Sequence, residues 1–146
     1  KTAYEIYKCD WSSDVCSSDL EREAVIRSEQ PVIASVFLNR LKAGLPLQAD
    51  PTVQFAIANA KPPSAATGWW KTDLTMTDLR IDSPYNTYRN PGLPPGPIAN
   101  PGIDAIRAVA NAATTDYLYF VAKGDGSHAF ARTLDEHNAN VARYQR

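Results

Sequence analysis

The clearest hydrophobic pattern in the chain begins at Pro31. Val32, Ile33, Val36, Phe37 and Leu41 recur at spacings of three and four, which makes one face of a helix apolar. Ser28 and Glu29 stand just before Pro31, and a proline suits a first helical turn because it lacks the N–H that would go unpaired there. Gly44 is a stop just beyond Lys42. The spacing predicts a helix over about residues 31–41, preceded by a helix that carries Glu23 and ends near Ile26. Asp50-Pro51 then divides an extended piece from a short helix that Asp50 caps and Pro51 opens. A capped turn is expected at 74–79, with Thr75 or Thr77 as the cap and Asp78 in its first turn. Asn100-Pro101-Gly102 opens a further helix, whose apolar stripe reads as Ile103, Ile106, Val109 and Ala110.

Two β-rich runs follow, YLYFVA from Tyr117 and HAFART from His128. KGDGS joins them, which is hairpin chemistry. Residues 134–144 read as a final helix with an exposed polar face. Helices segregate from one small antiparallel pair, so the fold class is α+β, with helices packed on the sheet. Between 85 and 102 the periodicity stops. YNTYRNPGLPPGPIANPG is too rich in proline for a helix or a central strand. It is a long, stiff loop whose tyrosines and asparagines are pocket chemistry, and it is expected to line a site. Residues 61–68, mostly proline, alanine and serine, read as a surface loop.

The first twenty residues show neither period, yet they hold both cysteines, Cys9 and Cys16. Residues 1–6 and 10–20 back-translate into strings that resemble the two ends of a common sequencing-library adapter, in order and in frame. Residues 1–20 are therefore read as a non-native, adapter-derived segment and set aside. Residues 21–146 are read as one truncated domain. Without Lys1, Lys8, Glu5, Asp10, Asp14 and Asp19, 13 basic and 12 acidic residues remain. That balance argues against a nucleic-acid partner held by phosphate charge. A cysteine-free remainder has no disulfide framework and no thiolate metal site. No apolar run approaches the span of a bilayer.

Few residues offer catalytic chemistry. Glu23 lies beside Ala24, Val25 and Ile26; in a partly apolar cleft its pKa would rise and it could donate a proton near neutral pH. Composition alone favours a solvated surface glutamate. Asp50 could bond sugar hydroxyls, although a helix cap is the simpler role. Gln48, Tyr85, Asn86 and Tyr88 combine amides with aromatic faces, as carbohydrate requires; bonding within the loop is the alternative. His128 and His137 lack a second ligand at metal spacing, so no metal is expected, and His137 reads as structural. No phosphate-cradling glycine loop and no GxSxG is present, and no cofactor is expected.

EREAVIRSEQPVIASVFLNRL, LPLQADPTVQFA, YNTYRNPGLPPGPIANPG, YLYFVA and HAFARTLDEHN, in that order, resemble the catalytic domain of the endolytic murein transglycosylases, the MltG or YceG-like family. The similarity covers nearly all of residues 21–146. The resemblance implies cleavage within peptidoglycan glycan strands. It makes the second glutamate of an E-x-E pair, Glu23, the catalytic acid and base. It matches Leu47, Gln48, Asp50, Pro51 and Thr52 to one motif, Tyr85–Tyr88 to another and Gly92–Gly96 to a third. The substrate-binding set it implies is Gln48, Asp50, Thr52, Tyr85, Asn86, Tyr88, Pro95, Asn100 and His128. It also implies a LysM-like subdomain and one membrane helix upstream, a catalytic domain on the outer face of the cytoplasmic membrane, and work near cell-wall synthases. One departure stands out: adapter-like residues replace the apolar helix that should lead into Glu21. Two other readings remain, a hydrolase using Glu23 with Asp50 and a non-catalytic murein-binding module. The E-x-E pair speaks against the second, since binding alone needs no acid there.

Overall fold

The structure, a computed structural model, describes residues 12–24, 26–60 and 68–145; residues 1–11, Val25, residues 61–67 of the surface loop expected at 61–68, and Arg146 lie outside the described residues. Among the described residues, five α-helices accompany one β-hairpin: α1 Ser12–Glu23, α2 Gln30–Lys42, α3 Asp50–Ala60, α4 Ile103–Ala110 and α5 Leu134–Tyr144, with β1 Tyr119–Ala122 and β2 His128–Ala131 before α5. The class is α+β, as the pattern predicts. α2 turns Ile33, Ala34, Val36 and Phe37 inward. Each large apolar side chain so buried contributes about 1.5–3 kcal/mol. Phe37 meets Phe120 of β1 edge to face at 6.0 Å, which joins the helical core to the hairpin. β1 and β2 pair antiparallel, from Tyr119 opposite Ala131 to Ala122 opposite His128. A capping box of Thr133 and Glu136 starts α5 where the polar-faced pattern places it.

α4 differs from its expected stripe. It buries Ala105, Ala108 and Val109, while Ile103 is 59% and Ile106 36% exposed. Alanines let α4 approach α1 and α2 closely, so packing follows the small residues and not the bulkiest ones. α1 begins at Ser12, so residues 12–20, which show no period, continue the helix that carries Glu23. Val15, Cys16 and Leu20 enter the core, but so do Ser17, Ser18 and Asp19, all at 0% exposure for the polar three. Among the described residues, neither Asp19 carboxyl oxygen has a hydrogen-bond partner. Burial pushes this carboxyl up to about 8. Burial, and then the neighbouring Asp19, push the Cys16 thiol up to about 12.

The proline-rich loop forms no helix or strand; Gly92 makes an isolated bridge with Pro46. Its far half braces α1: the Ile98 N–H donates to Ser18 Oγ at 3.0 Å, and the Gly102 N–H donates to Glu21 Oε2 at 3.0 Å. The first glutamate of the E-x-E pair, Glu21, thus ties the loop to the helix two residues before Glu23.

Candidate active site

Glu23 is the last residue of α1 and Asp50 the first of α3, so a helix C-terminus meets a helix N-terminus. Both line a cleft of about 460 Å³. Glu23 is half-buried, and its carboxyl is pushed up to about 8. Loss of solvent is the main cause, the negative charges of Asp50 and Asp19 add to it, and a hydrogen bond from the Asp50 backbone offsets part. At pH 7 the group is mostly protonated, so it can donate. The solvated surface glutamate that composition favours is not what the structure shows.

Gln48 stands across the cleft on a backbone φ of 55°, the only described non-glycine residue with a positive φ. Such a residue is strained unless its surroundings hold it. Its N–H donates to the Thr87 carbonyl at 3.2 Å, and its Oε1 accepts from Arg40 Nη2 at 2.5 Å. Arg40 is buried within α2, where its Nε donates to the Pro46 carbonyl at 2.8 Å and its Nη1 to the Leu118 carbonyl at 2.9 Å. One guanidinium therefore ties α2, the Gln48 turn and the hairpin together. Burial lowers its pKa from the usual arginine value. Its planar face lies over Tyr119 at 5.3 Å.

The Asp50 side chain does not stay with its helix. Its Oδ1 accepts the Tyr88 hydroxyl at 2.5 Å, at the cleft wall. Opposite, β1 contributes Tyr119, Phe120, Val121 and Ala122. His128 joins them from β2. Its Nδ1 lies 2.8 Å from Glu29 Oε2, which also accepts the His128 backbone N–H at 3.1 Å. A carboxylate only accepts, so Nδ1 carries the proton of a neutral His128 ring and Nε2 is left as the acceptor. His137, read as structural from sequence, also lines the cleft. Its ring stacks on Tyr119 at 5.3 Å, and its Nδ1 is buried without a partner. Burial, then the charge of Arg40, lower its pKa.

Of the residues proposed from sequence, Glu23, Gln48, Asp50, Tyr88 and His128 come together at this cleft. The others lie elsewhere. Thr52 is fully buried, with its hydroxyl 2.8 Å from that of Thr87. Asn86 is fully buried as well: its Nδ2 donates to the Leu79 and Ile81 carbonyls at 3.0 and 2.9 Å, and its Oδ1 accepts the Tyr88 N–H at 3.0 Å. Its amide closes the loop that presents Tyr88. Tyr85 packs on Phe55 at 4.8 Å, and Pro95 and Asn100 are exposed away from the cleft. Of the proline-rich loop, only Tyr88 is among the cleft-lining residues. Arg40 was missed, although it occupies the inward series Ile33, Val36, Phe37, where a charge is out of place. Glu29 carried no such signal.

Three comparisons bear on this arrangement. The sequence profile of the YceG-like family matches residues 15–143. The chain is 47% identical over 128 residues to an endolytic murein transglycosylase of Bacillus subtilis, covering 88% of this chain and 33% of that protein. It is 37% identical over 129 residues to one of Streptococcus pneumoniae, covering 88% of this chain and 22% of that protein. The chain thus spans a third or less of the length of these relatives. A crystal structure of a yceG-like protein from Listeria monocytogenes superposes with a TM-score of 0.75 at 43% identity, over 86% of this chain and 38% of that one.

Proposed function

Given that the chain belongs to the YceG-like family, we propose that it carries the catalytic part of an endolytic murein transglycosylase. The observation that carries this reading is Glu23: a carboxyl held protonated near neutral pH, opening on a cleft shared with Gln48, Asp50 and Tyr88. Glu23 gives its proton to the glycosidic oxygen between N-acetylmuramic acid and N-acetylglucosamine. The C6 hydroxyl of the muramic sugar attacks its own anomeric carbon and returns its proton to the Glu23 carboxylate. The strand ends in a 1,6-anhydro ring, and no water is consumed. One carboxyl suffices because the nucleophile is tethered to the reacting carbon. Gln48, aimed by Arg40, and His128, oriented by Glu29, supply hydrogen bonds to the sugars.

Asp50 beside Glu23 is the one observation that favours the hydrolase alternative, in which a second carboxylate activates water. Its Oδ1 is already engaged by Tyr88, and the names of the relatives favour the transglycosylase. Mass spectrometry of digested murein separates the two, because a reducing end is one water heavier than an anhydro end. Glu23→Gln should lower turnover about 10²- to 10⁴-fold. Normal turnover by that variant, or reducing ends as the product, would overturn the assignment.

The same proposal takes residues 21–146 as a truncated catalytic domain and 1–20 as adapter-derived. It places a membrane helix and a LysM-like subdomain upstream, the domain outside the cytoplasmic membrane, and cell-wall synthases nearby. Among the described residues, no helix is long and apolar enough to cross a membrane.

A further inference from the structure

β1 has a partner on one side only. The Lys123 N–H donates to the Ser127 carbonyl at 2.8 Å, which puts 123, 121 and 119 in the hydrogen-bonded register with 127, 129 and 131. Phe120 and Ala122 take the alternate positions, so their N–H and C=O groups point away from β2. The partner strand bears this out. His128, opposite Ala122, turns its backbone N–H outward to Glu29 at 3.1 Å. On the outer side of β1, the Leu118 carbonyl accepts Arg40 Nη1 at 2.9 Å. Beyond it, no hydrogen bond among the described residues engages the outward backbone groups of Phe120 or Ala122. Both residues line the cleft that holds Glu23.

Two free peptide positions about 7 Å apart are a template for a third strand. The chemistry of the occupant follows from amide geometry. In a single trans acetamido group the N–H and C=O point in opposite directions, so a sugar N-acetyl engages such an edge through one group only. A residue of an extended peptide presents both on the same side and engages both. Murein carries short peptides on its muramic sugars. Resting on the function proposed above, we infer that the free edge of β1 is a docking strand for the peptide stem of murein. The stem pairs with Phe120 and Ala122 while the glycan crosses Glu23.

Ala122→Pro removes one outward N–H and leaves the β1–β2 ladder whole, since that N–H never faced β2. Turnover is measured on murein strands that carry their stems and on the same strands stripped of them by an amidase. The unsubstituted chain should prefer stem-bearing strands about tenfold in kcat/KM, the worth of one or two hydrogen bonds. Ala122→Pro should collapse that preference. Equal turnover of both strands by the unsubstituted chain, or a preference that survives Ala122→Pro, would overturn the inference. A second readout needs neither a variant nor activity. On titrating the ¹⁵N-labelled chain with released stem peptide, the outward-facing amide protons of Phe120 and Ala122 should shift. Unmoved Phe120 and Ala122 amides would overturn the inference. Failure of the parent reading looks different: neither kind of strand would yield anhydro ends, whatever the amides do.

Discussion

Asp19 and Glu23 stand one helical turn apart on α1, and burial pushes both carboxyls up to about 8. What surrounds them differs. Glu23 opens on the cleft and receives a hydrogen bond from the Asp50 backbone. Asp19 has no exposed surface, no partner for either oxygen among the described residues and no place among the cleft-lining residues. Desolvation alone therefore does not mark a functional acid; access to a reactant does. An orphaned buried carboxyl is also costly, and no group beside it offsets that cost. Asp19 lies in the segment proposed to be adapter-derived, although the family profile matches from residue 15 onward. Val15 and Leu20 fill the core well enough for the helix to reach Glu23.

Arg40 sharpens the contrast, because it is a buried charge whose donors are spent on three partners. Replacing each group by leucine should move stability in opposite directions. Arg40→Leu strands the Pro46 and Leu118 carbonyls and Gln48 Oε1, and should destabilise the fold by about 3–5 kcal/mol. It should also free Gln48 from its strained turn and weaken substrate binding. Urea denaturation and KM measure the two effects. A stability unchanged by Arg40→Leu would show that the three hydrogen bonds contribute nothing net.

Asp19→Leu should stabilise by about 1–4 kcal/mol, since it removes a carboxyl that nothing accommodates. The gain depends on pH, with a sign fixed by the direction of the shift. The folded pKa of Asp19 is raised from 3.8, and that of Glu23 from 4.5, both to about 8. The folded state therefore holds protons that the unfolded chain releases. Stability is greatest below about pH 4, declines as pH rises towards 8, and levels off above it. Asp19→Leu should halve that decline and leave the part due to Glu23. Denaturation midpoints at pH 5 and pH 8 test this; an identical slope in the variant would place the Asp19 carboxyl in water.

Much of the fold follows from periodicity. α2 and α5 lie where apolar spacing and polar facing put them, because each buries a single face against neighbours it meets directly. α4 was read out of phase because hydropathy weights Ile103 and Ile106, whereas close helix packing selected Ala105 and Ala108. The cleft was legible in part. Glu23, Gln48 and Asp50 sit at chain junctions that motifs mark. His137 was not legible, since its place depends on Tyr119, which the hairpin brings beneath α5 from outside that helix. The Asn86 amide resembles a sugar ligand in sequence, but the loop consumes it before any ligand can.

The smallest expected effect tests whether the two carboxyls communicate. In the proposed mechanism turnover requires protonated Glu23, so the rate should fall as pH rises through about 8. Part of that high value comes from the negative charge of Asp19. Asp19→Asn keeps the shape and polarity of the side chain but removes its charge. The alkaline limb of the pH–rate profile should then move to slightly lower pH, while the rate at pH 6, where both carboxyls are protonated, stays the same. A limb that does not move would mean that Asp19 is energetically silent at the cleft and matters to stability alone. A limb that moves upward would mean that the substitution dries the helix end further, and that desolvation outweighs charge even at one turn's distance.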